Sequence, residues 1–85
     1  MIYEITPSCK RSIIKHCRKN PVLEKAIKRK IQDIMENPYR FNPLRYGLAG
    51  VRRVHIMKSF VLMYEVDRDA VIFVSFTHHD EAYQR

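Results

Sequence analysis

Two almost uninterrupted apolar runs constrain the fold of this 85-residue chain more than any other feature. They read FVLMYEV over residues 60–66 and AVIFVSF over residues 70–76, and the polar triplet Asp67-Arg68-Asp69 separates them. Short runs rich in β-branched and aromatic residues predict strands, and the triplet suits a tight turn between them. Because both faces of the first run are apolar, we expect this strand in the middle of a sheet.

The first half of the chain predicts a short strand followed by two helices. Residues 1–6 alternate in polarity, and Ser8 is a suitable N-cap for a helix whose apolar stripe begins at Cys9. Pro21 is expected in the first turn of a second helix, and Asn37-Pro38 ends it.

Three strands complete the order β-α-α-β-β-β, over roughly residues 51–57, 59–66 and 70–77, with a short polar tail from His78. This order predicts an α+β fold in which a two-helix hairpin covers one face of a small antiparallel sheet. We expect one domain that spans residues 1–85.

Composition excludes several classes of protein. No apolar run approaches the roughly 20 residues that span a bilayer, and the N-terminus lacks the pattern of a signal peptide. We therefore expect a cytoplasmic protein with no membrane partner. Cys9 and Cys17 are expected to be reduced and buried, because eight residues along one helix place them too far apart for a disulfide.

The net charge of +7 is unevenly placed along the chain. Residues 38–58 contain five arginines or lysines and no acidic residue. Such a stretch favours a polyanionic partner such as a nucleic acid. The basic residues of the two helices are as well explained by a solvated surface.

Arg53 and His55 lie two apart in a predicted strand, so they share one face while Val54 and Ile56 point to the other. RNA is cut without metal by a base that activates the 2′-hydroxyl, an acid for the leaving oxygen and cations for the phosphate. Histidine and arginine suit these tasks. The two residues could equally line a hydrated sheet face.

The tail offers further titratable groups, His78, His79 and Asp80. If the last strand continues, one of the two adjacent histidines points inward and the other outward. One of them is a candidate acid or base that Asp80 tunes, although a polar terminal turn explains the triplet as well. Tyr83 is a candidate for base stacking or proton donation, or an anchor for the terminus. The spacing fits no structural zinc pattern, so we expect no metal.

Aromatic residues alternate with arginines before the second predicted strand, at Tyr39, Arg40, Phe41, Arg45 and Tyr46. This interleaving is typical of RNA-stacking surfaces, and packing of a loop on the sheet explains it equally well. We expect His16 to be solvated and Tyr64 to lie in the core.

The order of elements resembles the RelE/ParE superfamily of bacterial and archaeal toxins over nearly the whole chain. The residues that carry this resemblance, nearest to the YafQ-like branch, are Pro43-Leu44, Gly50 to His55, Leu62 to Tyr64, and Thr77-His78. No single motif among these is specific. The resemblance rests on their order and spacing taken together.

The resemblance implies an mRNA interferase that cuts mRNA in the ribosomal A site, needs no cofactor and is neutralised by a RelB-like or related antitoxin. It matches His55 and His78 to catalytic histidines, and the basic helices would contact 16S rRNA. The candidate catalytic set is His55, His78, Asp80 and Tyr83, and the candidate RNA-binding set is Arg52, Arg53, Lys58, Arg45 and His79. The sequence departs from the pattern at Val61, where many relatives carry arginine, and at Ala82, where the branch carries phenylalanine.

Two other functions remain open at the level of sequence. One is a ParE-like inhibitor of DNA gyrase, which shares the fold without needing an acid–base pair. The other is a non-catalytic module that binds RNA or an antitoxin.

Overall fold

Two helices cover one face of a four-stranded sheet in the computed structural model, which describes residues 2–41 and 50–78. The elements are β1 (Ile2–Ile5), α1 (Pro7–Cys17), α2 (Pro21–Glu36), β2 (Val51–Ile56), β3 (Phe60–Asp67) and β4 (Ala70–His78). The strand order is β1-β4-β3-β2, so the two apolar runs form the central strands. The predicted α+β class and the central position of β3 are confirmed. Within the described residues, neither helix is long and apolar enough to cross a membrane.

The direction of β1 corrects the prediction of a wholly antiparallel sheet. β2, β3 and β4 pair antiparallel, whereas β1 runs parallel to β4, with Ile2 opposite Ala70 and Ile5 opposite Phe73. Parallel neighbours need a crossover connection rather than a hairpin, and here the connection includes both helices. Strand direction depends on the whole path of the chain, and a four-residue strand carries no local pattern that reveals it.

Both helices begin with a side-chain cap followed by proline. Thr6, rather than the predicted Ser8, caps α1, and its Oγ1 accepts a hydrogen bond from the backbone N–H of Cys9 at 3.2 Å. The reason is Pro7, which is favoured at the first helical position, so the cap is the residue directly before it, two positions upstream of Ser8. α2 begins at Pro21 as predicted, and the Asn20 side chain accepts from the N–H of Leu23 at 3.1 Å.

The hydrophobic core lies between the helices and one face of the sheet. α1 packs against β4 and α2 against β2. The fully or nearly buried side chains of this core are Cys9, Leu23, Ile27, Ile34, Val54, Ile56, Leu62, Tyr64, Val71, Phe73 and Phe76. We call the side of the sheet that carries this core the helix face and the other side the open face. Cys9 is buried as predicted, whereas Cys17 is only half-buried, and both are free thiols.

A β-bulge in β4 reverses which of its side chains point to the helix face. Tyr64 pairs with Phe73 and Met63 with Ser75, so Val74 is an extra residue with no partner on β3. Beyond the bulge Phe76 therefore lies in the core, as Phe73 does before it. A bulge of this kind re-aims the side chains that follow it.

Hydroxyl groups of α1 and its cap cover the edge of β4 where β1 has ended. Thr6 Oγ1 donates to the carbonyl of Val74 at 3.1 Å, and Ser12 Oγ donates to the carbonyl of Phe76. These bonds satisfy backbone acceptors at the bulge that would otherwise lack a strand partner, and each such bond contributes on the order of 1 kcal/mol.

The connection between β2 and β3 is a three-residue loop, Met57 to Ser59, so β2 ends one residue earlier and β3 begins one residue later than the sequence predicts. Met57 and Lys58 have φ angles of 54° and 65°. Residues other than glycine occupy this left-handed region at a cost of roughly 1–2 kcal/mol each. The loop therefore holds the exposed Lys58 in a defined, strained conformation.

Candidate functional site

Arg53 and His55 lie on the open face of the edge strand β2, as the alternation predicts. Both side chains are exposed, while Val54 and Ile56 between and beside them are buried in the core. A guanidinium and an imidazole are thus held side by side on a strand whose other face is anchored. This arrangement leaves both polar side chains accessible to a ligand.

The part of the open face that lies beside His55 is apolar. His55 pairs with Val61 on β3, and Val61 pairs with Thr77 on β4, so the three side chains share the open face. Val61 is fully buried although it does not belong to the core cluster of the helix face. Val61 therefore lies at the centre of this face and contributes no charge there.

Arg52 points to the opposite side of the sheet from Arg53. It pairs with Tyr64, its Nη1 donates to the carbonyl of Phe41 at 2.5 Å, and its guanidinium lies 5.3 Å from the centroid of the Tyr39 ring. These contacts fix the turn that follows α2. The structure thus separates the two adjacent arginines of the predicted RNA-binding set.

Tyr64 completes the anchorage of this turn and is a core residue, as predicted. Its hydroxyl donates to the carbonyl of Pro38 at 2.7 Å, and its side chain is fully buried. Burial raises the pKa of Tyr64, and the nearby positive charge of Arg52 opposes this shift. The folded protein therefore favours the protonated, neutral form of the Tyr64 phenol.

The Phe41 ring in this turn packs against cationic side chains. The Phe41 ring has the Lys30 ammonium 5.6 Å and the Arg40 guanidinium 5.5 Å from its centroid. Cation–π contacts of this kind stabilise the turn against α2. For Phe41 the structure thus favours packing over RNA stacking, whereas Tyr39 is 60% exposed.

His78 lies on the helix face in a group of four rings, which we call the ring cluster: His16, Phe60, Phe76 and His78. Phe60 and Phe76 stack with centroids 5.2 Å apart, and the His78 ring meets Phe60 edge-on at 5.3 Å. His16 of α1 meets Phe60 and Phe76 edge-on at 5.1 and 5.8 Å. The prediction that His16 is solvated is wrong, because α1 turns this residue toward the sheet and half-buries it.

The predicted partnership of His55 with His78 does not fit this geometry. The pairs Ile56–Phe60 and Phe60–His78 place His78 on the helix face, and His55 is on the open face. The two residues also belong to strands that β3 separates, about 10 Å apart at the usual strand spacing. The bulge at Val74 is the cause, since uninterrupted alternation from Phe73 would place residue 78 on the open face.

A cavity of about 250 Å³ opens between α2 and the edge of β2. It is lined by Ala26, Arg29, Lys30, Asp33, His55, Ile56 and Met57. Sequence reasoning missed Arg29 and Asp33 as neighbours of His55, because a charged position on an amphipathic helix gives no sign of which strand it faces.

Four candidate residues, Arg45, His79, Asp80 and Tyr83, lie outside the described residues. Within residues 2–41 and 50–78, no three His, Cys, Asp or Glu side chains are grouped so that they could hold a metal ion.

Comparisons with known proteins agree with this architecture. The family model described as the ParE toxin of the type II toxin–antitoxin system parDE matches residues 3–83. The chain is 42% identical over 84 residues to a Methanocaldococcus jannaschii protein named RelE4, covering 96% of this chain and 89% of that protein.

Solved structures share the fold at low sequence identity. The YoeB/ParE toxin of Agrobacterium tumefaciens has a TM-score of 0.83 at 18% identity, covering 93% of this chain and 99% of that one. A chain of the Escherichia coli DinJ–YafQ complex has a TM-score of 0.76 at 16% identity, covering 95% and 96%. By its family match and its fold, this chain belongs to the ParE toxins of type II toxin–antitoxin systems, within the RelE/ParE superfamily.

Proposed function

We propose that this toxin is a ribosome-dependent endoribonuclease that cleaves mRNA and so inhibits translation. The observation that carries the proposal is the exposed Arg53–His55 pair on the open face of an anchored edge strand. An inhibitor that only binds a protein target has no need of an imidazole and a guanidinium side by side. RNA cleavage through the 2′-hydroxyl uses both.

In the proposed reaction, one group takes the proton of the 2′-hydroxyl, whose oxygen attacks the adjacent phosphorus. The bond from phosphorus to the 5′-oxygen breaks, and a second group gives a proton to that leaving oxygen. The products are a 2′,3′-cyclic phosphate and a 5′-hydroxyl. His55 is one of the two groups, and Arg53 with Lys58 neutralises the phosphate charge.

We propose His79 as the second proton-transfer group. Of the two adjacent tail histidines, His78 lies on the helix face against Phe60, which leaves His79 as the candidate partner of His55. Asp80 would tune that histidine and Tyr83 would stack on a base. His78 is then a positioning residue that holds the end of β4.

An antitoxin partner is part of this proposal, and the likeness to a chain solved in the DinJ–YafQ complex supports it. A charge of +7 suits an acidic segment that folds on binding. An apolar groove of about 340 Å³ between α1 and α2 is the proposed binding site for this segment, and Ile14 at its edge is 51% exposed. Exposed apolar surface of this kind marks interaction sites.

The test is a purified translation system in which ribosomes carry a defined mRNA with an empty A site. Primer extension should show cleavage with the wild-type toxin, at least about 10²-fold slower cleavage with His55→Ala, and none on free mRNA. If His55→Ala cleaves mRNA as well as the wild type does, the proposal is wrong.

A second candidate, inhibition of DNA gyrase, is favoured by the ParE identity of the matching family model. Loss of gyrase supercoiling with intact mRNA would support it. Binding to RNA with neither effect would support a non-catalytic module.

A further inference from the structure

We propose that the cavity between α2 and the edge of β2 binds one ribose–phosphate unit of single-stranded RNA, with Arg29 on the phosphate and Asp33 on the 2′-hydroxyl. This inference deepens the proposed function and rests on it for the identity of the ligand as RNA. It adds to the open-face site two residues of α2.

Arg29 and Asp33 are four residues apart on α2, so they lie one above the other on one flank of the helix. Both line the cavity, together with His55 from the facing strand. An arginine binds phosphate oxygens through a planar fork of donors, and an ionised carboxylate only accepts hydrogen bonds. A cation and an acceptor in one cavity fit a unit that carries an anion and a hydroxyl donor.

The carboxylate selects among polyanions. Bare phosphate gains from Arg29 and is repelled by Asp33, and DNA offers no hydroxyl to the carboxylate. RNA offers the 2′-hydroxyl, which is the group that distinguishes RNA from DNA at a protein site. The pairing of charges in this cavity therefore favours RNA over either alternative.

The neighbouring basic residues of α2 have other contacts. Lys30 also lines the cavity, and its ammonium lies 5.6 Å from the centroid of the Phe41 ring. Lys28 is on the other flank of the helix, lines the apolar groove next to α1, and pairs with Glu24 at 3.4 Å. Arg29 is the α2 cation that faces the cavity from an exposed position.

The opposite wall of the cavity is fixed by the fold. Ile56 is anchored in the core, and Met57 is held at a φ of 54° with its side chain 48% exposed. Met57 thus forms an apolar lip suited to a sugar or base. A nucleotide in this cavity adjoins His55, so the RNA strand would approach the open face over the edge of β2.

Lys28 and Arg29 form a matched pair of positions for the test, because they are adjacent, both exposed and equal in charge. The measurement is fluorescence anisotropy of a labelled eight-nucleotide RNA, and of the DNA of the same sequence, with the full-length toxin. Each variant is compared with the wild type by circular dichroism to confirm that it is folded.

Arg29→Gln should weaken RNA binding about tenfold or more, as expected for loss of a charge-assisted contact, and Lys28→Gln less than twofold. Asp33→Ala, which removes the acceptor, should reduce the preference for RNA over DNA. Equal losses from Arg29→Gln and Lys28→Gln, or an RNA preference that survives Asp33→Ala, would overturn the inference. If Arg29 proves specific but the wild type cleaves no mRNA on ribosomes, the binding site stands and the proposed activity fails.

Discussion

Two histidines at the same end of the sheet have opposite surroundings. His55 is exposed on the open face, two residues from Arg53 and beside the cavity of Arg29. His78 lies across the sheet in the ring cluster, edge-on to Phe60, which His16 of α1 also contacts. The comparison teaches that residue type alone does not identify a catalytic group, because the face on which the strand presents the side chain decides what it can reach.

The largest expected effect is the loss of activity in His55→Ala. Removal of a general acid or base costs a factor of about 10² to 10⁴ in rate. Because the side chain is exposed, the free energy of unfolding should change by less than about 0.5 kcal/mol. Single-turnover mRNA cleavage on ribosomes and a urea titration measure the two quantities. A loss of rate that follows a loss of stability would contradict the assignment.

Mutations in the ring cluster should have the opposite effect, lowering stability while leaving cleavage activity unchanged. Phe76→Ala removes a ring that is 1% exposed and stacked on Phe60, and a large-to-small change of this kind costs about 3–5 kcal/mol of unfolding free energy. Cleavage per folded molecule should be nearly unchanged. Chemical denaturation gives the stability, and activity is normalised to the folded fraction. A variant that is stable but inactive would show that this cluster takes part in catalysis, contrary to the prediction.

Arg53→Ala should have an intermediate effect on the open face. Loss of one charge-assisted phosphate contact costs about 1.5–3 kcal/mol, which is roughly 10- to 150-fold in kcat/KM. Arg52→Ala, its neighbour on the helix face, should instead lower stability through the turn at Phe41. Steady-state kinetics and thermal melting of both variants separate the two roles. If Arg52→Ala loses activity without losing stability, the division between the faces is wrong.

His16→Ala should give the smallest effect. Its edge-on contacts with Phe60 and Phe76 are worth about 0.5–1.5 kcal/mol in stability, and cleavage should change less than twofold. A melting curve and a cleavage assay suffice. A large loss of cleavage would contradict this prediction and would indicate that α1 contributes to the catalytic site.

Much of the fold follows from local patterns in the sequence. The prolines at 7, 21 and 38 mark where helices begin and end, and the apolar runs of β3 and β4 identify the central strands. These signals are local, because capping and alternation act over a few residues. The direction of β1 is not local, and it was predicted wrongly.

The candidate site was predicted only where alternation is uninterrupted. In β2 the pattern from Arg52 to Ile56 gives the correct face for each side chain. In β4 the extra residue Val74 reverses the faces, and no glycine or proline marks the bulge in the sequence. Its cause is tertiary, since Thr6, which caps α1, and Ser12 of α1 hold the carbonyls of Val74 and Phe76 by hydrogen bonds. Arg29 and Asp33 were missed for a similar reason, as the strand that α2 faces is set by packing.

The most direct test of the division between the two faces is a comparison of His78→Phe with His79→Phe. Phenylalanine can keep the edge-on contact that His78 makes with Phe60 but cannot transfer a proton. The measurement maps mRNA 5′ ends on ribosomes after induction of each toxin. We predict that His78→Phe leaves the wild-type cleavage sites in place and that His79→Phe removes them. A folded His78→Phe variant without cleavage, beside an active His79→Phe variant, would contradict the account.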